Sequence, residues 1–262
     1  MNCLEKCRSK LISEINRDLA IIVKTPGEEP IHDFRVGVKR LTALYYFLNE
    51  IDPGLNAKQL LKPYRAPFKS IGNIRDVHIA VQLIESLDEI SPQDSKLLIR
   101  KLNSKARQDY HIFQQSIPTD HRLSIRVPTI KSTGISARAI GRQKPLLLNQ
   151  LLSQILTSGN KMNARQWHKK RILLKRYHHV LDAFCFCPGH SLDEAELKQM
   201  KILEQLLGDW HDRVVTAELI ESLPGVESSL GAAISIMQKQ DRLLLGAAKI
   251  YLGKFTRWHR HS

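Results

Sequence analysis

Two short basic motifs dominate the chemistry this sequence can do: His32, Arg35, Lys39 and Arg40, then His168, Arg171, Lys175 and Arg176. Both read H-x-x-R-x-x-x-K-R. Arginine offers a planar donor fork for two phosphate oxygens, lysine a mobile point charge, and histidine a proton that a neighbouring phosphate favours. On a helix, positions 32, 35 and 39 fall within a sector of roughly 60° and span about 10 Å of axis. His32, Arg35 and Lys39 therefore project from one face, with Arg40 at its edge. Such a stripe suits an extended ligand with repeated negative charges better than one small anion.

The second copy sits in a longer run. From Lys161 to Leu181 there are Lys161, Arg165, Lys169, Lys170, Arg171, Lys175 and Arg176, with His168, His178 and His179, and no carboxylate. Like charges four apart on a helix repel by a few tenths of a kcal/mol per pair, a cost that a bound anion relieves. An isolated charge run is usually only the solvated face of an amphipathic helix. Repetition is what argues for a ligand face here. A shift of 136 positions, the interval from His32 to His168, also superposes Gly72, Asp76 and Leu83-Ile84-Glu85-Ser86-Leu87 on Gly208, Asp212 and Leu219-Ile220-Glu221-Ser222-Leu223. Two motifs of different composition at one offset indicate an internal duplication.

Further cations follow the same offset in part. Lys62, Arg65 and Lys69 are matched by Lys198 and Lys201 but not at Gln205. The segment Gly72 to Asp76 reads G-x-x-R-D, whereas Gly208 to Asp212 reads G-D-W-H-D, so His211 stands in the place of Arg75. A lone carboxylate among so many cations orients a neighbouring arginine or caps a helical turn rather than touching an anion, which is the role expected of Asp76 and Asp212. The last helix of each half carries Arg100, Arg107 and His111, and Lys239, Arg242 and Lys249, at a slightly different offset. Of these, Arg107 and Arg242 join the anion-binding candidates.

Apolar residues recur at helical spacing, as in Leu11, Ile15, Leu19 and Ile22, and strand-like alternation does not persist. Turn signals at Pro26-Gly27 with Pro30, Asp52-Pro53-Gly54, Ser91-Pro92, Pro188-Gly189 and Pro224-Gly225 cut the chain into helix-length pieces. The pattern predicts an all-α protein with helices near 2–24, 31–50, 57–87, 92–116, 143–158, 164–184, 193–222 and 228–258. They fall into two fours: a first half over 1–116, a polar, Ser/Arg-rich connection over 117–142, and a second half over 143–262. Pro63 and Pro67 are expected to kink the third helix or delay its regular start until after Phe68.

Forty Lys and Arg against 26 Asp and Glu give a formal charge of +14, which attracts polyanions: nucleic acid, acidic membrane or polyphosphate. The apolar runs, such as Leu19 to Val23, fall far short of the roughly 18 residues that span a bilayer. The charged, interrupted N-terminus has no secretory-signal pattern, and Cys3, Cys7, Cys185 and Cys187 lack framework spacing. The expectation is a cytoplasmic protein with reduced thiols.

The residues Ile31-His32-Asp33-Phe34-Arg35-Val36-Gly37-Val38-Lys39-Arg40-Leu41, followed by Ile71-Gly72-Asn73-Ile74-Arg75-Asp76, resemble the signature of CHAD domains, histidine-containing α-helical bundles. The resemblance covers essentially the whole chain. It implies two four-helix bundles related by a pseudo-two-fold axis, with basic faces lining a central groove that binds inorganic polyphosphate, and residence on polyphosphate granules. It also implies the contact set His32, Arg35, Lys39, Arg40 and Arg75 in one half and His168, Arg171, Lys175, Arg176 and His211 in the other. The chain departs from the family at Thr42 and His178, where relatives often place arginine, and at the second copy's missing R-D pair. Many relatives carry a triphosphate-tunnel enzyme domain, whose strand-borne E-x-E-x-K pattern the N-terminus does not show, so a stand-alone member is expected.

Three other readings compete. His32-Asp33 and His211-Asp212 could hold a divalent metal in a phosphohydrolase, yet the surrounding Lys and Arg repel a cation. A basic bundle could bind RNA through its phosphates, although only 6% of residues are aromatic and few interleave with the motif cations. Zinc at Cys185-x-Cys187 with His190, or at Cys3 and Cys7, lacks a closed set of four ligands. The expectation is therefore a polyphosphate-binding protein with no catalytic residue, cofactor or metal. Charge reversal of Arg35 and Arg171 together is then expected to abolish binding and spare the fold.

Overall fold

The computed structural model describes residues 3–117, 135–157, 162–184 and 194–261. Every regular element among them is helical: α1 (Cys3–Lys24), α2 (Glu28–Ile51), a 3-10 turn (Pro53–Leu55), α3 (Ala57–Leu60), α4 (Lys62–Glu85), α5 (Pro92–Ser116), α6 (Ala137–Leu156), α7 (Ala164–Phe184), α8 (Glu194–Glu221) and α9 (Glu227–His261). The protein is all-α, as the apolar periodicity predicts.

Local chemistry sets the boundaries. At the start of α5, Ser91 Oγ accepts from the Asp94 amide at 3.1 Å and donates to Asp94 Oδ2 at 2.7 Å, with Pro92 at the first helical position, where a missing N–H costs nothing. Asn163 and Gln166 form a reciprocal capping box for α7, each side chain accepting from the other's amide at 2.9 and 2.8 Å. The turn into α9 needs Gly225, whose φ of +71° lies in the left-handed region.

Three boundaries differ from the sequence expectation. The break in the third helix falls at Leu61, not after Phe68: α3 ends there, the Tyr64 amide donates to the Leu61 carbonyl at 3.1 Å, and α4 starts at Lys62. Pro63 then lies in the first turn of α4, where its missing donor has no intrahelical partner to lose, and Pro67 is carried inside the helix. Helix α6 begins at Ala137, inside the expected connection, because Ser136 caps it by accepting from the Ala139 amide at 3.1 Å; Pro145 is carried within. α2 begins at Glu28, with Pro30 in its first turn. Residues 118–134 of the expected connection lie outside the described residues.

Two compact units partition the chain. They do not follow the expected sequence halves, 1–116 and 143–262. The first comprises Met1–Lys69, Ser116–Lys161 and Ile172–Leu192, the second Ser70–Gln115, Met162–Arg171 and Asp193–Ser262. Each takes helices from both halves, and α4 and α7 contribute to both units. A helix of 24 residues is about 36 Å long, enough to serve two cores in succession.

In the first unit α1 packs along α2, with Leu4, Ile15, Leu19, Ile22, Phe34 and Leu41 fully buried. Gly37 is required at their closest approach: a Cβ there would lie 2.8 Å from Ile15 Cγ1. Buried among these residues, Arg8 donates from both Nε and Nη2 to the Glu5 carboxylate, with the Tyr45 hydroxyl near enough to act on it electrostatically. Burial pushes the Tyr45 hydroxyl up to about 12, only partly opposed by Arg8.

The second unit's core joins α4, α5, α8 and α9 through Val77, Leu98, Leu102, Ile220, Ala233 and Met237. Positions equivalent under the 136-residue shift are buried together in it: Ile84 with Ile220, Leu87 with Leu223, Ile90 with Val226.

Candidate functional site

In the first unit the two motif helices meet. Arg40 Nε on α2 donates to Asp182 Oδ2 on α7 at 3.1 Å. His178 Nε2 and His179 Nδ1 lie 3.7 and 3.9 Å from the same carboxylate, electrostatic contacts longer than a hydrogen bond. Burial pushes the Asp182 carboxyl up; His179, His178 and Arg40 more than offset it, so the group titrates below its ordinary value. Arg176 on α7 lies over the ring of Tyr46 on α2, 5.5 Å from its centroid. The contact is reciprocal. The shift that carries Arg40 to Arg176 also carries Tyr46 to Asp182, so each copy's arginine reaches the same position of the other copy. That is the pattern of a self-complementary interface. Beside it α2, α6 and α7 form a small open pocket lined by Tyr46, Glu50, Gln150, Gln154 and Arg176.

The rest of the first motif follows along α2. Arg35 stacks over the Phe68 ring at 4.6 Å and donates to the Phe68 carbonyl at 3.1 Å. Lys39 and Lys175 are half-buried, and His32 is exposed. Thr42 turns its hydroxyl to the Val38 carbonyl at 2.7 Å. Lys62 and Lys69 on α4 are exposed, and Arg65 reaches back to the Lys58 carbonyl at 3.3 Å.

The N-terminal part of α7 belongs to the second unit, which divides the second motif: His168 and Arg171 fall in the second unit, Lys175 and Arg176 in the first with α2. Here the His168 and His211 rings approach to 4.9 Å, with Trp210 6.3 Å from His211. The Arg171 side chain is only 14% exposed and lies 3.9 Å from Asp212. Burial pulls its pKa down, while Asp212, Glu204 and Asp76 pull it up. Both carboxylates expected to orient arginines therefore act on Arg171. Glu204 occupies the position equivalent to Phe68. The two copies thus differ in kind: Arg35 rests on a ring, and Arg171 is surrounded by acids. Arg75 on α4 is half-buried; Lys198 and Lys201 on α8, Arg107 on α5 and Arg242 on α9 are exposed.

Sequence reasoning missed Asp182, Tyr46, Phe68 and Glu204. Only Asp182 left a signal, four residues after His178 at the end of the basic run. The cation at Lys170 is not part of the stripe: it is buried at the position equivalent to fully buried Phe34.

Among the described residues no three His, Cys, Asp or Glu side chains group so as to hold a metal ion. Cys185, Cys187 and His190 lie outside them, as does the Cys3 side chain; Cys7 is a buried thiol that forms no disulfide among the described residues. Among the described residues, no helix is long and apolar enough to cross a membrane.

Comparison with known proteins bears on the fold and the family. No curated protein matches the chain. The CHAD domain of the plant Ricinus communis, known from its crystal structure, superposes with a TM-score of 0.75 over 96% of this chain and 90% of that one, at 21% identity. PptA from Streptomyces chartreusis superposes with a TM-score of 0.67 over 97% and 98%, at 14% identity. The sequence profile of the CHAD domain matches residues 4–221, and the chain belongs to the CHAD domain family.

Proposed function

We propose that this protein binds inorganic polyphosphate on the basic faces of α2 and α7, and that it acts as a binder, not a catalyst. What supports this most is the reciprocal contact of the two motif helices, which gathers Arg40, Lys39, Lys175 and Arg176 into one neighbourhood of the first unit. Repeated cations along adjoining helices match a ligand with repeated charges. A single phosphate would leave most of them without an anion. Arg40 and Arg176 are the contacts most open to a ligand, since the Arg40 side chain is 42% exposed and Arg176 is exposed. The second unit contributes a weaker anion site, because Asp212, Glu204 and Asp76 already balance Arg171. Association with polyphosphate granules would follow from the same surface.

The test is a paired charge reversal, Arg40→Glu with Arg176→Glu, read by polyphosphate affinity. Charge-assisted hydrogen bonds are worth about 1.5–3 kcal/mol each, so the double variant loses about a hundredfold or more. Unchanged affinity in a folded double variant would take these helices out of the site.

A further inference from the structure

Helix α9 has two faces. Ala233, Met237, Ala248, Leu252 and Phe255 are buried and form the side by which it packs in its own unit. The opposite side carries a second stripe, at Lys239, Leu243, Gly246, Ile250 and Gly253, spaced alternately by four and three residues. That is the seam spacing of helices that pair along their length. All five are exposed. Leu243 is 70% and Ile250 61% exposed, the two highest values among the large apolar side chains of the described residues.

The glycines are the unexplained part. A Cβ at Gly246 or Gly253 would meet nothing within 4 Å, so no steric contact among the described residues requires glycine there. Glycine weakens a helix relative to alanine, yet it lets a second helix backbone come close. Two large apolar side chains alternating with two gaps make knobs and notches for such a helix. Charge decides what kind of helix. Between residues 231 and 256 the only acid is Asp241, which is half-buried, whereas Arg242 and Lys249 flank the stripe.

We propose that this face of α9 docks an amphipathic helix of a partner protein, apolar along its seam and rich in Glu or Asp on its flanks. A second copy of this chain would bring Lys239, Arg242 and Lys249 against their like. An anionic lipid surface would gain no apolar area from the glycines.

The probe is a synthetic peptide of about four heptads, with Leu and Ala on the seam and Glu on the flanks. Its binding is compared at physiological salt with that of a scrambled peptide of the same composition. The expected result is affinity about tenfold or more above the scrambled control, with Leu243→Asp weakening it about tenfold. Gly246→Ala with Gly253→Ala separates packing from stability: it raises the melting temperature, because alanine favours the helix, and weakens the peptide about tenfold. Equal binding of the scrambled peptide, no binding at all, or affinity indifferent to both alanines would overturn the proposal. So would preferential binding to phosphatidylserine vesicles, or self-association lost in Leu243→Asp.

Discussion

Replacing Arg171 by glutamate should cost the protein its fold more than its ligand. The Arg171 side chain is 14% exposed, with Asp212 at 3.9 Å and Glu204 and Asp76 acting on it as well. At that distance, with an effective dielectric near 20, a charge pair is worth about 4 kcal/mol before desolvation. Asp212 is 33% exposed, so the loss falls below the roughly 3–5 kcal/mol typical of a fully buried pair, but the substitution also adds a fourth carboxylate to the cluster. Against a total stability of roughly 5–15 kcal/mol this is large. Arg40 is the contrasting case: its pair with Asp182 is 42% and 29% exposed, so reversing it costs at most about 1 kcal/mol. Urea unfolding followed by far-ultraviolet circular dichroism compares the two directly. The expected drop in midpoint for Arg171→Glu is more than about 1 M, and for Arg40→Glu a few tenths. If the Arg171 variant melts no earlier than the Arg40 variant, Arg171 is not the buried centre of that cluster. The consequence is practical. Joint reversal of Arg35 and Arg171, the test the sequence suggests, confounds binding with unfolding, whereas Arg40 and Arg176 do not.

Asp182→Asn removes the negative charge that opposes a phosphate at Arg40. At about 7 Å and an effective dielectric near 40 that charge costs about 1.2 kcal/mol, so polyphosphate should bind roughly eightfold tighter, and weaker binding in a calorimetric titration would contradict the geometry. Burial pulls the Lys170 ammonium down to about 8 from an ordinary 10.5. The unfolded chain then holds the extra proton between those values, so stability is lowest below about pH 8 and recovers as pH rises toward 10.5. Lys170→Met should therefore add about 1–2 kcal/mol at pH 7 and flatten that rise, as read by urea midpoints at pH 7 and pH 9.5. Gly37→Ala sets a helix gain of about 1 kcal/mol against overpacking on Ile15, and the 2.8 Å contact makes the net effect a loss of about 1–2 kcal/mol by thermal melting.

The sequence exposes whatever it repeats or caps locally. Ser91-Pro92 marks the start of α5 because serine, proline and Asp94 act within one turn. His32, Arg35, Lys39 and Arg40 are conspicuous because they recur at His168, Arg171, Lys175 and Arg176. Proline misleads, since Pro67 and Pro145 are both accommodated inside helices once tertiary packing holds the flanking turns. Nor does the linear pattern reveal which copies become neighbours. Arg40 meets Asp182 only because α2 and the C-terminal part of α7 share one core, and Asp182 has no repeated counterpart, standing where the first copy has Tyr46. Arg171 loses its freedom for the same kind of reason: Glu204 replaces Phe68, a difference whose meaning depends on the partner across the bundle.

The most direct measurement of polyphosphate binding is the affinity of the wild-type protein for long-chain polyphosphate across a series of salt concentrations, with RNA and a divalent metal as parallel ligands. If about six phosphates are engaged, affinity should fall by about four decades per decade of salt, and polyphosphate should displace RNA. Absence of binding at low salt, or a preference for RNA or for the metal, would contradict the account and leave only the fold in place.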